Sequence, residues 1–291
     1  EKNRTGALVA AGVLLAAATL TRPVAQYYIL VLAGLVLLWR ARPFGWRIKQ
    51  GAAFLFAVIV ALAPWIYRNV ASYDTPGISS IQGENLLFWQ VAYAKAWQTK
   101  ESPVAIQEQF LARARGLGYD KAGNPFVNEA IAHRLALDYI RANEATFLKR
   151  WAIGVLHTFT NLHTSTISQR LGLPETQMPP GALYSATSEG ELVLQFLRTK
   201  SGPEIAAGAW VLSLLAISYT LFALGAAMLA KRRRWWLLGF ALLTVAYFAV
   251  TGGVIGQARF RMPVMPFVFL LAAMYVDDWL RRRASRHERR G

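Results

Sequence analysis

Six apolar runs, at residues 6–20, 24–39, 51–67, 203–230, 235–255 and 263–280, constrain this chain more than any other feature. The hydrocarbon core of a bilayer is about 30 Å thick and takes roughly 20 apolar residues per helix. Backbone in hydrocarbon meets no water, so each run has to satisfy its own hydrogen bonds and becomes a helix. Only 16% of the residues are charged and 55% are hydrophobic. A water-soluble domain, in which about a quarter of residues carry charge, is excluded on that balance.

Where the charge sits decides what the net +16 is for. Basic clusters follow alternate runs: Arg40, Arg42, Arg47 and Lys49; then Lys231, Arg232, Arg233 and Arg234; then Arg281, Arg282, Arg283, Arg286, Arg289 and Arg290. Six spans place all three clusters on the side of the N-terminus. With Lys2 and Arg4 that side holds sixteen bases against four acids, and the other side sixteen against twelve. This is positive-inside patterning, which excludes a nucleic-acid partner and leaves membrane lipids as the surroundings. The expected fold is therefore an all-α integral membrane protein with about six transmembrane helices. Residues 1–69 hold three spans, residues 70–202 a mainly helical extracytoplasmic domain, residues 203–280 three more spans, and residues 281–291 a basic cytoplasmic tail attracted to anionic lipid.

The external stretch reads as helical and irregular. Ser102-Pro103 opens a helix carrying Ile106 and Phe110 that stops at Gly116 and Gly118. Asn124-Pro125 opens another, with Val127, Ile131, Leu135 and Tyr139 at four-residue steps. Residues 147–167 are apolar but interrupted by Lys149-Arg150, and are expected to lie along the outer interface as an amphipathic segment. Residues 173–181, with three prolines, read as a loop. The chain has no cysteine, which removes disulfides and thiolate metal sites. His157 and His163 stand six apart and do not share a helix face, so no metal or other cofactor is expected. Neither a P-loop, a dinucleotide fingerprint nor a Ser-His-Asp spacing is present.

The chemistry-bearing residues are arginines at outer helix ends. The first two runs, 15 and 16 residues long, reach only about 22–24 Å, which favours a hairpin broken at Thr21-Arg22-Pro23 with its turn below the outer surface. Arg22 then sits near membrane depth, where a charge is expensive unless it faces a cavity or an anion. The third run ends in Pro64-Trp65-Ile66-Tyr67-Arg68-Asn69, and the last outer loop reads Gly252-Gly253-Val254-Ile255-Gly256-Gln257-Ala258-Arg259-Phe260-Arg261-Met262-Pro263. The planar donor fork of arginine suits phosphate, so convergence of Arg22, Arg68, Arg259 and Arg261 would make a phosphate site. After Asn69, a Gly- and Ser-rich stretch brings Gly83, Glu84 and Asn85, expected as a loop that hydrogen-bonds a ligand or simply turns. The external carboxylates are unpaired in sequence, Glu84 being the least ordinary of them.

These residues carry a resemblance. Leu20-Thr21-Arg22-Pro23, Pro64-Trp65 with Arg68-Asn69, Ser79-Ser80 with Gly83 and Asn85-Leu86, and Arg259-Phe260-Arg261-Met262-Pro263 occur in the order found in polytopic GT-C type glycosyltransferases. Asp138-Tyr139-Ile140-Arg141-Ala142-Asn143, followed by Lys149-Arg150, is a weaker fifth match. The chain resembles the C-terminal portion of the bacterial, phospholipid-carrier-dependent branch, related to protein O-mannosyltransferases and lipid A aminoarabinose transferases. The resemblance implies a multi-pass protein of the bacterial inner membrane. It would take a sugar from a polyprenyl-phosphate donor and pass it to a glycan, lipid or protein acceptor at the outer face. It further implies that Arg22, Arg68, Arg259 and Arg261 bind the donor phosphate, and that Gly83, Glu84 and Asn85 belong to a substrate loop. In the family the catalytic base lies in the first external loop, which has no counterpart here, so the base is expected upstream and is assigned to no residue of this chain. A lipid-phosphate transporter or flippase, and an O-antigen-type ligase or polymerase, are the alternatives.

Overall fold

In the computed structural model the described residues are 2–39, 42–162, 169–170, 172, 197–198 and 200–288, with backbone alone for 2–4 and 286–288. They are helical, with no strand among them. His163, residues 173–181, the end of the 147–167 segment and Arg289-Arg290 lie outside the described residues.

The chain divides into two compact units, one comprising Glu1–Phe88 with Phe110–Ala142, the other Trp89–Gln109 with Asn143–Gly291. The division cuts across the expected 70–202 domain. Residues 70–88 and 110–142 belong with the first helices, and residues 89–109 and 143–202 with the later ones.

In the first unit, α1 (Lys2–Thr21) stops at Arg22, whose backbone is extended (φ −140°, ψ 104°). A residue before proline is biased away from the helical region, which is why the helix breaks here. A 3-10 turn at Pro23–Ala25 leads into α2 (Tyr28–Leu38), and α3 (Phe44–Tyr73) follows. Both α1 and α2 pack on α3 around Ala16, Ile29, Ala33, Phe54, Val58 and Leu62. Gln50 donates to Thr5 Oγ1 at 2.9 Å, and Gly12 lies against Ala57 and Val58, so α1 and α3 run parallel. Arg47 donates to the Leu37 carbonyl at 2.9 Å, so α2 runs against them. The expected hairpin break is thus present, and it lies at the end of the unit away from Arg42 and Arg47.

The third helix runs further than expected. Pro64 removes one backbone donor, but the helix continues to Tyr73, where Asp74 takes a left-handed conformation (φ 55°). Its last turns are tied to the following loop by Trp65 Nε1 to the Ile78 carbonyl (2.9 Å) and by buried Asn69 Nδ2 to the Gly77 carbonyl (2.7 Å). The unit also contains the turn α4 (Gln82–Glu84) and α7 (Pro125–Ala142), which pack together. The chain between them forms a π-helix at Asn85–Val91, α5 (Ala92–Thr99) and α6 (Pro103–Arg115). Helices α6 and α7 start at the expected Ser102-Pro103 and Asn124-Pro125.

The second unit is built on α8 (Glu144–Thr160), α9 (Gly202–Lys231), α10 (Trp235–Gly252) and α11 (Met265–Glu288), with 3-10 turns at Gly253–Ile255 and Ala258–Arg261 between the last two. Helices α9 and α11 run parallel, since Gly225 meets Leu271 and Arg232 meets Asp278 seven residues further on in both. Leu229, Leu238, Ala241 and Leu271 form the buried contact with α10. The basic residues 231–234 and 281–283 therefore share one end of this unit.

Among the described residues three helices, Phe44–Tyr73, Gly202–Lys231 and Trp235–Ile255, are long and apolar enough to cross a membrane, which makes the chain a membrane protein by helix length and composition. Thr5–Thr21 and Pro23–Leu38 are shorter apolar helices. The apolar part of α11 ends at Asp277 and Asp278, and basic residues follow from Arg281.

In the α9–α11 contact the backbones come close at Gly225, where any Cβ would collide with the Leu271 carbonyl oxygen. Gly239 of α10 has open space around it. Gly225→Leu is expected to cost about 1–3 kcal/mol by overpacking, whereas Gly239→Ala gains up to about 1 kcal/mol in helix propensity. Thermal midpoints of the two variants in detergent should move in opposite directions, and equal midpoints would contradict the packing.

Candidate functional site

In the first unit the helix break leaves Arg22 exposed, and its guanidinium makes no hydrogen bond or ion pair with the described residues. The turn after it is tethered by Tyr27, whose hydroxyl donates to Gln82 Oε1 at 2.9 Å. Arg68 lies between two aromatic rings, 4.9 Å from the Trp65 centroid and 5.3 Å from that of Tyr73, and donates to Asn69 Oδ1 at 2.8 Å. Asn69 in turn holds the Gly77 carbonyl. Arg68 is exposed, but its orientation is set by the contacts that anchor the loop, so it also has a structural role.

The expected Gly83–Glu84–Asn85 loop is helical from Gln82 onward. The reason is packing: a Cβ at Gly83 would collide with the Glu129 carbonyl and the His133 amide, so glycine alone lets this turn rest on the backbone of α7. Glu84 accepts a hydrogen bond of 2.7 Å from Tyr119, a residue that the sequence pattern does not single out. Tyr119 is buried and packs edge-on against Phe88. Burial first, then the hydrogen bond to Glu84 and its negative charge, push the Tyr119 hydroxyl up to about 12, with Arg115 opposing. Asn85 is exposed at the start of the π-helix.

The second unit contains the glycine-rich turn. Gly253 (φ 63°) and Gly256 (φ 59°) adopt left-handed backbone that other residues rarely take. A Cβ on Gly154 of α8 would collide with the Gly253 carbonyl, so the turn sits directly on that helix. The Gln90 side chain accepts from the Val254 amide and fills the space beside Gly253.

Arg261, expected to face a phosphate, turns back on the protein. Its Nη1 donates to the Asn161 carbonyl at 2.7 Å and lies 3.4 and 3.5 Å from those of Phe159 and Thr158. These are the orphan carbonyls at the end of α8, and a cation placed there also suits the helix dipole, worth about 0.3–1 kcal/mol. Arg259 is exposed, with its guanidinium 5.2 Å from the Phe260 ring centroid. Elsewhere on α8, buried Arg150 stacks on Trp97 at 4.0 Å, and Lys100 lies over the same indole at 4.4 Å. The interrupted apolar segment is thus a helix whose arginine is held by an aromatic ring.

Arg22 and Arg68 belong to the first unit, Arg259 and Arg261 to the second. Within each unit the arginines share the end away from the basic clusters. Arg22 and Arg259 present the open guanidinium donors, whereas Arg68 and Arg261 are engaged. Tyr119 and Gln90 are recognisable only from the contacts they make.

No protein-family model, curated protein or solved structure matches this chain.

The Tyr119–Glu84 bond has a spectroscopic signature. The hydroxyl titrates above its ordinary value of 10.0, so its contribution to stability is fully present below about pH 10 and is lost as pH rises through about 12. Absorbance titration should reveal a tyrosine ionising near pH 12 that is missing in Tyr119→Phe. In Glu84→Gln, which removes the charge, that ionisation should move to lower pH. An unshifted titration in Glu84→Gln would rule the pair out.

Proposed function

We propose that this chain is a membrane glycosyltransferase that moves a sugar from a polyprenyl-phosphate donor to an acceptor hydroxyl at the outer face of a bacterial inner membrane. The observation that carries the reading is Arg259, an exposed guanidinium on the turn Ala258–Arg261, which Arg261 ties to the end of α8, at the end of its unit opposite the basic clusters. The ordered resemblance to GT-C type enzymes supplies the substrate class.

The chemistry asked of these residues is limited and physical. The bond between the sugar's anomeric carbon and the phosphate oxygen breaks, the acceptor oxygen bonds to that carbon, and the acceptor proton passes to a base. Polyprenyl phosphate leaves with an added negative charge. Arginine donors aimed at that phosphate stabilise the charge as it develops, and they do so more strongly where water is excluded. Arg259 is the residue with open donors for this role in the second unit, and Arg22 is a separate candidate in the first. Arg261 acts mainly by holding α8 against the turn, and Arg68 by holding the loop after α3. The base is assigned to no residue here.

Three measurements test the reading. Binding of radiolabelled polyprenyl-phosphate sugar should weaken in Arg259→Ala by about 1.5–3 kcal/mol, the range for a charged hydrogen bond. Lysine at 259 should restore only part of it, since a point charge lacks the fork. Arg261→Ala should also lower the thermal midpoint, because it uncaps α8, whereas Arg259→Ala should not. Unchanged donor affinity in both Arg22→Ala and Arg259→Ala would remove the phosphate role. The chain has no native cysteine, so single cysteines at Gln98 and Arg233 report sidedness cleanly. Positive-inside orientation requires that an impermeant reagent added outside label position 98 and not 233. Labelling of both from one side would overturn the orientation.

A further inference from the structure

At the end of the second unit away from the glycine turn, two separate stretches of chain bring their arginines onto one carboxylate. Asp278 of α11 accepts from Arg232, which caps α9, and from Arg282 one turn along its own helix (2.9 Å). The Asp278 side chain is 16% exposed, whereas Arg232 and Arg282 are 47% and 61% exposed. One shielded carboxylate therefore orients two guanidinium groups that remain open to solvent. Each carries five donors, of which Asp278 engages a minority.

The surroundings are strongly cationic. Within residues 231–234 and 277–283, seven bases stand against two acids. Lys231, Arg233, Arg234, Arg281 and Arg283 are all exposed, and Arg233 adopts a left-handed backbone (φ 57°). Trp235 and Trp279 are 62% and 47% exposed, and the Arg283 guanidinium lies 5.5 Å from the Trp279 ring centroid. Exposed indoles at the ends of apolar helices mark the depth of lipid headgroups.

We infer that this end is a binding site for the phosphate headgroup of an anionic phospholipid, gripped between Arg232 and Arg282 with Asp278 holding the pair in register. Basic groups gathered between membrane helices at a headgroup-level face suit such a lipid. The apolar helix walls and the neighbouring indoles accommodate acyl chain and glycerol, which a soluble phosphate does not need. The site is separate from the donor-phosphate reading, since it lies at the opposite end of the unit from Arg259.

The purified chain in neutral detergent, titrated with phosphatidylglycerol or phosphatidylcholine and followed by native mass spectrometry, tests the site. Phosphatidylglycerol should be retained and phosphatidylcholine lost, and equal retention would overturn the assignment. Arg282→Gln should weaken phosphatidylglycerol about fivefold, the effect of one basic group near the headgroups. Arg233→Gln, outside the Asp278 network, should weaken it less, and equal losses would overturn the assigned geometry. Asp278→Asn separates a built site from diffuse attraction: it makes the surface more positive yet releases both arginines, so weaker binding is expected. Tighter binding in Asp278→Asn would overturn the site. Displacement of the lipid by excess inorganic phosphate would overturn its assignment to lipid.

Discussion

Backbone-to-backbone contact at glycine is the constraint on which each unit depends. Apolar helices in hydrocarbon gain little from hiding apolar surface, because lipid tails are as apolar as leucine, so they associate where small residues let them come close. Gly225 brings α9 onto the backbone of α11 in this way; in elements that are not candidate spans the same close approach recurs, Gly154 bringing α8 onto the glycine turn and Gly83 bringing α4 onto α7. Each contact sets how closely the two elements lie. A larger residue at any of the three would move a backbone rather than a side chain.

Around these contacts the polar groups serve two purposes. Some close off helix ends: Arg261 satisfies carbonyls of α8, and Asn69 and Trp65 tie down the loop after α3. Others are left open by the same geometry. Arg22 is exposed because a proline after it ends α1, and Arg259 because its turn, Ala258–Arg261, is tied to α8 by Arg261 instead of by its own side chain. The distinction matters for function, since a guanidinium that already satisfies backbone carbonyls cannot give those donors to a substrate, whereas one held only by the chain's course can.

Charge is sorted along the helices of each unit. Asp278 turns the basic end of α9 and α11 into an ordered group, while Arg150 is buried against Trp97, where the attraction of the ring face for a cation offsets part of the cost of burial. Tyr119 and Glu84 form the corresponding ordered pair in the first unit, with Tyr119 kept protonated by burial and by the carboxylate it faces. All of these groups combine ionisable chemistry with a fixed partner.

Helix content, the break at Arg22-Pro23, the starts of α6 and α7 and the asymmetry of basic clusters were legible in the sequence, because they follow from local rules: apolar length, proline sterics and the cost of charge in hydrocarbon. The extent of α3 past Pro64 and the helical state of Gln82 to Asn85 were not, since tertiary hydrogen bonds and the α7 backbone decide them. The division into units was equally hidden, as it depends on which distant helices touch. Among the candidate arginines, composition and spacing could place all four at helix ends but could not rank them. Only the fold separated Arg22 and Arg259, left open, from Arg68 and Arg261, engaged by neighbours, because a side chain's hydrogen-bond partners are set by elements up to a hundred residues away in the chain.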